Sequence, residues 1–145
     1  MKANVLFICI HNSARSQIAE AWLNHLCGDF FEAQSAGLEP GTLNPLVVDA
    51  MAEVGLDLSQ KKTQRVHDVW NSGQLFRYVI TVCDAVSAER CPVFPGYGQK
   101  LHWGFPDPSA LTGSREEILQ GVRRIRDDIR GKIEAWCGEV CLVLN

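Results

Sequence analysis

No apolar run in this 145-residue chain approaches membrane-spanning length, and its first residues carry no secretory pattern. A cytoplasmic protein with no membrane partner is therefore expected. Positive charge is not in excess: 14 Lys and Arg stand against 17 Asp and Glu, a formal net charge of −3. That balance argues against general nucleic-acid binding, so any anion site must be local. Repeats and low-complexity segments are absent. Among six cysteines, the spacings Cys83-x7-Cys91 and Cys137-x3-Cys141 fit no zinc knuckle, and no metal ligand is assigned. A disulfide scaffold is not expected either, because a chain this long buries a core without staples. Composition is otherwise ordinary, at 46% hydrophobic and 21% charged residues, and residues 1–145 read as one domain.

The chain alternates strand-like and helix-like stretches. Val5–Cys9 is a short apolar run with the length of a buried strand. Ile18, Ala21, Trp22, His25 and Leu26 then recur at helical spacing, and Gly28 ends that helix. Residues 30–35 read as a second strand. Asn44 caps a second helix with Pro45 at its first position, its buried face formed by Leu46, Val47, Ala50, Met51 and Val54. A short helix is expected around residues 63–70, a third strand over 78–83 and a short fourth near 101–103. Ser114-Arg115-Glu116-Glu117 is a capping box opening a long helix, with Ile118, Val122, Ile125, Ile129, Ile133 and Trp136 inward. The arginines and aspartates between them read as a solvated face. The apolar tail 138–145 is either an edge strand or a segment lying on the core, and Cys137 and Cys141 read as core thiols. Such alternation predicts an α/β fold of three layers, a central parallel four-stranded sheet with helices on both faces. Its ligands bind beyond the carboxyl ends of the strands.

Cys9 stands at such an end. Five residues of loop, Ile10-His11-Asn12-Ser13-Ala14, carry the chain to Arg15 and Ser16 at the start of the first helix. The unpaired N–H groups of a helix start form a site for a tetrahedral oxyanion, and Arg15 adds a planar fork for two of its oxygens. A positive cradle also favours thiolate, the attacking form of sulfur. The plain alternative is that Cys9 is a small apolar residue closing a core strand; the strand before it and the helix after it favour the anion site. Asn12 and Ser35 either shape this loop or are ordinary polar residues. His11 either faces solvent or adds charge.

Two further features carry chemistry. In Gly104-Phe105-Pro106-Asp107-Pro108 the prolines hold Asp107 extended, suited to protonating a leaving oxygen, although Asp-Pro alone is often only a turn. Cys83 ends the third predicted strand, and parallel pairing would put it on the same rim as Cys9. Cys91 follows in a Gly- and Pro-rich loop with Arg90 beside it to favour ionisation. These two are either a redox pair or unrelated buried thiols.

Taken together, Cys9-Ile10-His11-Asn12-Ser13-Ala14-Arg15-Ser16-Gln17-Ile18-Ala19-Glu20, the Ser35-Ala36-Gly37 turn, Cys83-Asp84 with Cys91-Pro92-Val93-Phe94-Pro95-Gly96, and His102-Trp103-Gly104-Phe105-Pro106-Asp107-Pro108 closely resemble the thioredoxin-coupled arsenate reductases. That family shares the fold of the low-molecular-weight tyrosine phosphatases, and the resemblance covers nearly the whole chain. It implies Cys9 as nucleophile, Arg15 with the backbone of residues 10–15 as oxyanion cradle, and Asp107 as acid. It implies Ser16 as hydrogen-bonded to the Cys9 thiolate, with Cys83 and Cys91 as the redox pair. The substrate would be arsenate and the reductant thioredoxin or a glutaredoxin-like protein, in a monomer that requires no metal or flavin. Some relatives bind potassium near the loop through residues matching Asn12, Glu20 and Ser35. The separation of eight between Cys83 and Cys91 is longer than in many relatives, and residues 83–98 are expected to be the moving part. Two other readings stay open. A phosphatase would use Cys9, Arg15 and Asp107 alike, whereas an oxyanion-binding or thiol-sensing module would show no turnover. Ser109 speaks against the phosphatase, since phosphatases of this fold usually place an aromatic residue there.

Overall fold

Four strands run parallel in the order β2-β1-β3-β4, with β1 (Ala3–Cys9) and β3 (Tyr78–Thr81) inside and β2 (Phe31–Gly37) and β4 (Gln99–His102) at the edges. This computed structural model describes residues 2–39, 41–83, 96 and 98–144, with side chains to residue 140. The inner strands are apolar at every position from Val5 to Cys9, as a strand covered on both faces must be. One face carries α1 (Arg15–Cys27), α2 (Pro45–Ala52) and α4 (Arg115–Leu144), packed on Val5, Phe7 and Ile80. The other carries the short α3 (Val66–Asn71), packed on Leu6, Ile8 and Val79. The expected three-layer parallel sheet is therefore present. The chain leaves β1 for β2 on one side and returns to β3 on the other. The carboxyl end of β1 is thus the point where strand order reverses, the place where such sheets hold ligands.

Local chemistry accounts for the boundaries. Asn44 Oδ1 accepts the Leu46 N–H at 2.9 Å, with Pro45 in the first turn of α2. Ser114 and Glu117 exchange the two bonds of the capping box, at 3.2 and 3.4 Å, to open α4. Several sequence expectations need correction. The third strand stops at Thr81, so Cys83 lies two residues beyond it, and the fourth strand is Gln99–His102. Ser35-Ala36-Gly37 is the end of β2 rather than a turn. In α1 it is Ala19 and Leu23, more than His25 and Leu26, that face the core, because the helix is wedged between sheet and α4. The tail is not an edge strand: α4 continues to Leu144. Cys137 is not a free core thiol, since it is disulfide-bonded to Cys27 at the end of α1. Residues 84–95 and 97, which include Cys91 and most of the segment expected to move, lie outside the described residues. Among the described residues no helix is long and apolar enough to cross a membrane.

The face of α4 read as solvated has one buried member. Arg126 is 8% exposed and donates to the Ala50 carbonyl at 2.8 Å and to Glu53 at 2.9 Å, tying α4 to the end of α2. Arg123 adds a fork on the same carboxylate, with Nη2 to Oε2 at 2.7 Å. The hydrogen bond from Arg123, reinforced by Arg126, holds the Glu53 carboxyl at about 2 instead of its usual 4.5. The folded state thus binds this proton less readily than the unfolded chain, so the contribution of Glu53 is complete above pH 4.5 and disappears as pH falls toward 2. Thermal unfolding followed over that range should show Tm falling with pH, and Glu53→Gln should flatten part of the fall.

Candidate active site

The loop after β1 is turned inside out by its neighbours. Backbone N–H groups of Leu38, Glu39, Gly41 and Asn44 take the carbonyls of Cys9, Ile10, His11 and Ser13 at 2.8–3.2 Å. With those carbonyls tied away from it, the sulfur meets the Asn12 N–H, 3.1 Å from Cys9 Sγ. Two residues permit this path. Asn12 adopts φ 55°, a left-handed conformation that asparagine tolerates better than most side chains. Gly37 lets β2 pass beneath the loop, for a Cβ there would stand 2.7 Å from the Asn12 nitrogen. Helix α1 follows with Ala14 at its cap, which offers no side-chain acceptor to the first-turn amides.

Side chains complete the cradle. Ser16 Oγ lies 2.9 Å from Cys9 Sγ and accepts from Asn12 Nδ2 at 2.7 Å, so the hydroxyl proton is left for the sulfur. Asn12 Oδ1 in turn accepts from Gln17 Nε2 at 3.2 Å and the Gln64 N–H at 3.0 Å. Arg15 is 4% exposed and donates to the Phe105 carbonyl at 3.1 Å, while Nη2 lies 3.9 Å from Asp107 Oδ2. Asp107 has the extended backbone expected between two prolines, caps a 3₁₀ turn through the Ser109 N–H at 3.0 Å, and remains partly exposed. Ile10 and Ala14 are buried, Ser13 is half-buried, and His11 turns outward to the Glu39 carbonyl. That outward turn settles the choice left open for His11. The structure therefore brings Cys9, Arg15, Ser16 and Asp107 to one rim.

Cys83 is fully buried and disulfide-bonded, whereas Cys9 is the free thiol among the described cysteines, so that bond does not involve Cys9. Its strand neighbours β1, with Ile8 paired to Thr81 and the Val82 N–H bonded to the Ile8 carbonyl at 2.8 Å. Neighbouring strands lie about 4.8 Å apart, so Cys83, two residues past the end of β3, follows the adjoining strand just beyond the level of Cys9.

Sequence reading missed four supports. Gln17 and Gln64 hold the Asn12 carboxamide, and Gln64 Nε2 also binds the Ser35 carbonyl at 2.8 Å. Asn44, read only as a cap, donates to Ser109 Oγ at 3.0 Å. Lys61 pairs with the buried carboxylate of Glu20, whose other oxygen accepts from Ser35 Oγ at 3.1 Å. Gln17 lies within the Cys9–Glu20 stretch but its partner was not assigned, whereas the contacts of Gln64, Asn44 and Lys61 become visible only when distant segments meet. The last pair bears on potassium. Glu20 is paired with an ammonium and a hydroxyl, and Asn12 Oδ1 accepts from two donors, so the three residues matched to potassium binding all stand in one polar cluster beneath the loop.

Comparison with known proteins now decides the family. The low molecular weight phosphotyrosine protein phosphatase family matches residues 4–141. The chain belongs to that family. It is 39% identical over 136 residues to an arsenate reductase of Shouchella clausii, covering 93% of this chain and 95% of the relative. Among solved structures it is similar to an arsenate reductase of Archaeoglobus fulgidus, with 30% identity, TM-score 0.67, and 90% and 98% of the two chains covered. A thioredoxin-dependent arsenate reductase of Corynebacterium glutamicum matches at 32% identity and TM-score 0.59, over 92% of this chain and 63% of that one.

A hydrogen bond to a charged sulfur contributes about 1.5–3 kcal/mol, which corresponds to roughly ten- to hundredfold in an equilibrium. Ser16→Ala should therefore slow alkylation of Cys9 by iodoacetamide near neutral pH by about tenfold or more. An unchanged alkylation rate would remove Ser16 from the site.

Proposed function

We propose that this protein reduces arsenate to arsenite through its own thiols and is restored by thioredoxin or a glutaredoxin-like protein. The observation that carries this reading is the Cys9 sulfur held between an amide and a hydroxyl, with Arg15 and Asp107 on the same rim and a second cysteine just past the end of the adjoining strand. Arsenate is a tetrahedral oxyanion that fits the inverted loop, with Arg15 leaving Phe105 to take two oxygens in its fork. Cys9 attacks arsenic while Asp107 protonates the departing oxygen, which leaves as water. Cys83 then attacks the Cys9 sulfur. The sulfur–arsenic electron pair stays on arsenic, arsenite departs, and a Cys9–Cys83 disulfide forms. Cys91 attacks Cys83 and frees Cys9, and the resulting Cys83–Cys91 disulfide is reduced by the dithiol of thioredoxin. The sum is one arsenate and two thiols giving one arsenite, one disulfide and one water.

No potassium is needed in this scheme, because the Lys61 ammonium already neutralises Glu20 beneath the loop. The protein works as a monomer in the cytoplasm, where thioredoxin keeps its thiols supplied. The phosphatase reading uses the same Cys9, Arg15 and Asp107, with water in place of Cys83. Against it stands Ser109, tied to Asn44 at the mouth of the site where an aryl phosphate would need an aromatic wall.

NADPH oxidation with arsenate, thioredoxin and thioredoxin reductase tests the proposal. Turnover should be seen, should not depend on potassium, and should vanish in Cys83→Ser. Asp107→Asn should lower kcat by about 10²–10⁴, the usual worth of a positioned acid. Absence of arsenate turnover together with brisk aryl-phosphate hydrolysis in Cys83→Ser would establish the phosphatase instead.

A further inference from the structure

Cys27 and Cys137 take no part in the relay, yet the structure bonds them to each other. Cys27 closes α1 and Cys137 lies in the last turns of α4, their Cα atoms 6.8 Å apart and 110 residues apart in sequence. The 13 residues of α1 separate Cys27 from the cradle. At 1.5 Å per residue that is about 18 Å, far too long for thiol exchange with Cys9. We propose that Cys27–Cys137 is a second redox site, independent of the catalytic thiols, whose disulfide clamps the C-terminal part of α4 to α1.

The clamp sits where α4 needs one. Gly131 and Gly138 face open space on this part of the helix, and each lowers its intrinsic stability. What holds the segment down is the buried Ile133, the cation of Arg130 over Trp22, and Trp136. Trp136 packs on Phe31 and Tyr78 at 5.0 Å and on Trp103 at 5.6 Å. Cys137 is the next residue, so the bond fixes the backbone at the edge of this aromatic cluster. Trp103 in turn begins the segment that carries Phe105 and Asp107.

The bond is also placed for exchange. Cys27 is partly exposed and Cys137 is 6% exposed, so an incoming thiolate reaches the Cys27 sulfur and Cys137 leaves. A dithiol reductant converts the clamp to two thiols and becomes a disulfide itself. In the other direction a disulfide oxidant such as oxidised glutathione closes the clamp and leaves as two thiols. Electrons and protons balance both ways, and no step passes through Cys9. Closing a loop this long constrains the unfolded chain strongly, so the clamped form should be much the more stable.

The test uses Cys9→Ser/Cys83→Ser/Cys91→Ser, which has no relay and so cannot confuse this proposal with the preceding one. Equilibrated with oxidised glutathione, it should keep Cys27 and Cys137 protected from alkylation and yield one linked peptide joining them. Dithiothreitol should expose both and lower Tm by about 10 °C. Adding Cys27→Ser should abolish that redox dependence. If the triple variant does not fold, peptide mapping of the oxidised unaltered protein should still find the Cys27–Cys137 link, and Cys27→Ser in that background should retain arsenate turnover at 25 °C. Alkylation of both residues after oxidation, a link to Cys141, or equal Tm in both redox states would overturn the proposal.

Discussion

The site depends on one constraint: the peptide planes between Cys9 and Ala14 must stand with their carbonyls outward. A relaxed connection would leave some carbonyl oxygens near the sulfur, where they would repel both a thiolate and an oxyanion. Leu38, Glu39, Gly41 and Asn44 prevent this by supplying an N–H to the carbonyls of Cys9, Ile10, His11 and Ser13, and the left-handed turn at Asn12 reverses the chain between them. The space for that reversal comes from Gly37 directly below, where any Cβ would collide with the loop backbone. On the proposed reading, the cradle for the anion is thus built before a ligand arrives, which avoids reorganisation during the reaction.

Behind the loop, the fold works as a rigid block with two kinds of glue. Apolar packing between the sheet, α1 and α4 fixes the height of the cradle, with Ile18, Trp22, Ile129 and Ile133 fully or nearly buried. Polar ties then set the lateral position of each element. Arg126 links α4 to α2, and Lys61 links the segment before α3 to Glu20 on α1. Arg15 links α1 to the loop carrying Asp107 by way of the Phe105 carbonyl. The guanidinium is held by the Phe105 carbonyl and lies 3.9 Å from the Asp107 carboxylate, two contacts that fix the direction of its fork.

The sequence showed much of this, for definable reasons. Cys9, Arg15 and Ser16 lie close together in the chain, and the strand-loop-helix context around them is local, so their meeting was readable. Asp107 was readable because two prolines fix its backbone. The caps at Asn44 and Ser114 follow short-range rules and hold in the structure. What could not be read depends on segments far apart. Gln64 reaches Asn12 across 52 residues and Asn44 reaches Ser109 across 65. The burial of Arg126 follows from where α2 ends rather than from any pattern along α4. The Cys27–Cys137 bond requires knowing that α1 and α4 finish side by side, which composition and periodicity do not reveal. The tail, left open between an edge strand and a segment lying on the core, instead extends the helix begun at Arg115 to Leu144.

The central claim is that the protein's own sulfur supplies the two electrons that leave with arsenite. A single turnover, with reduced protein and arsenate and no external reductant, measures this directly. The account predicts one arsenite per protein and loss of two thiols, with the new disulfide mapping to Cys83 and Cys91. Arsenite without thiol loss, or arsenate recovered unreduced from a fully thiol-bearing protein, would contradict it.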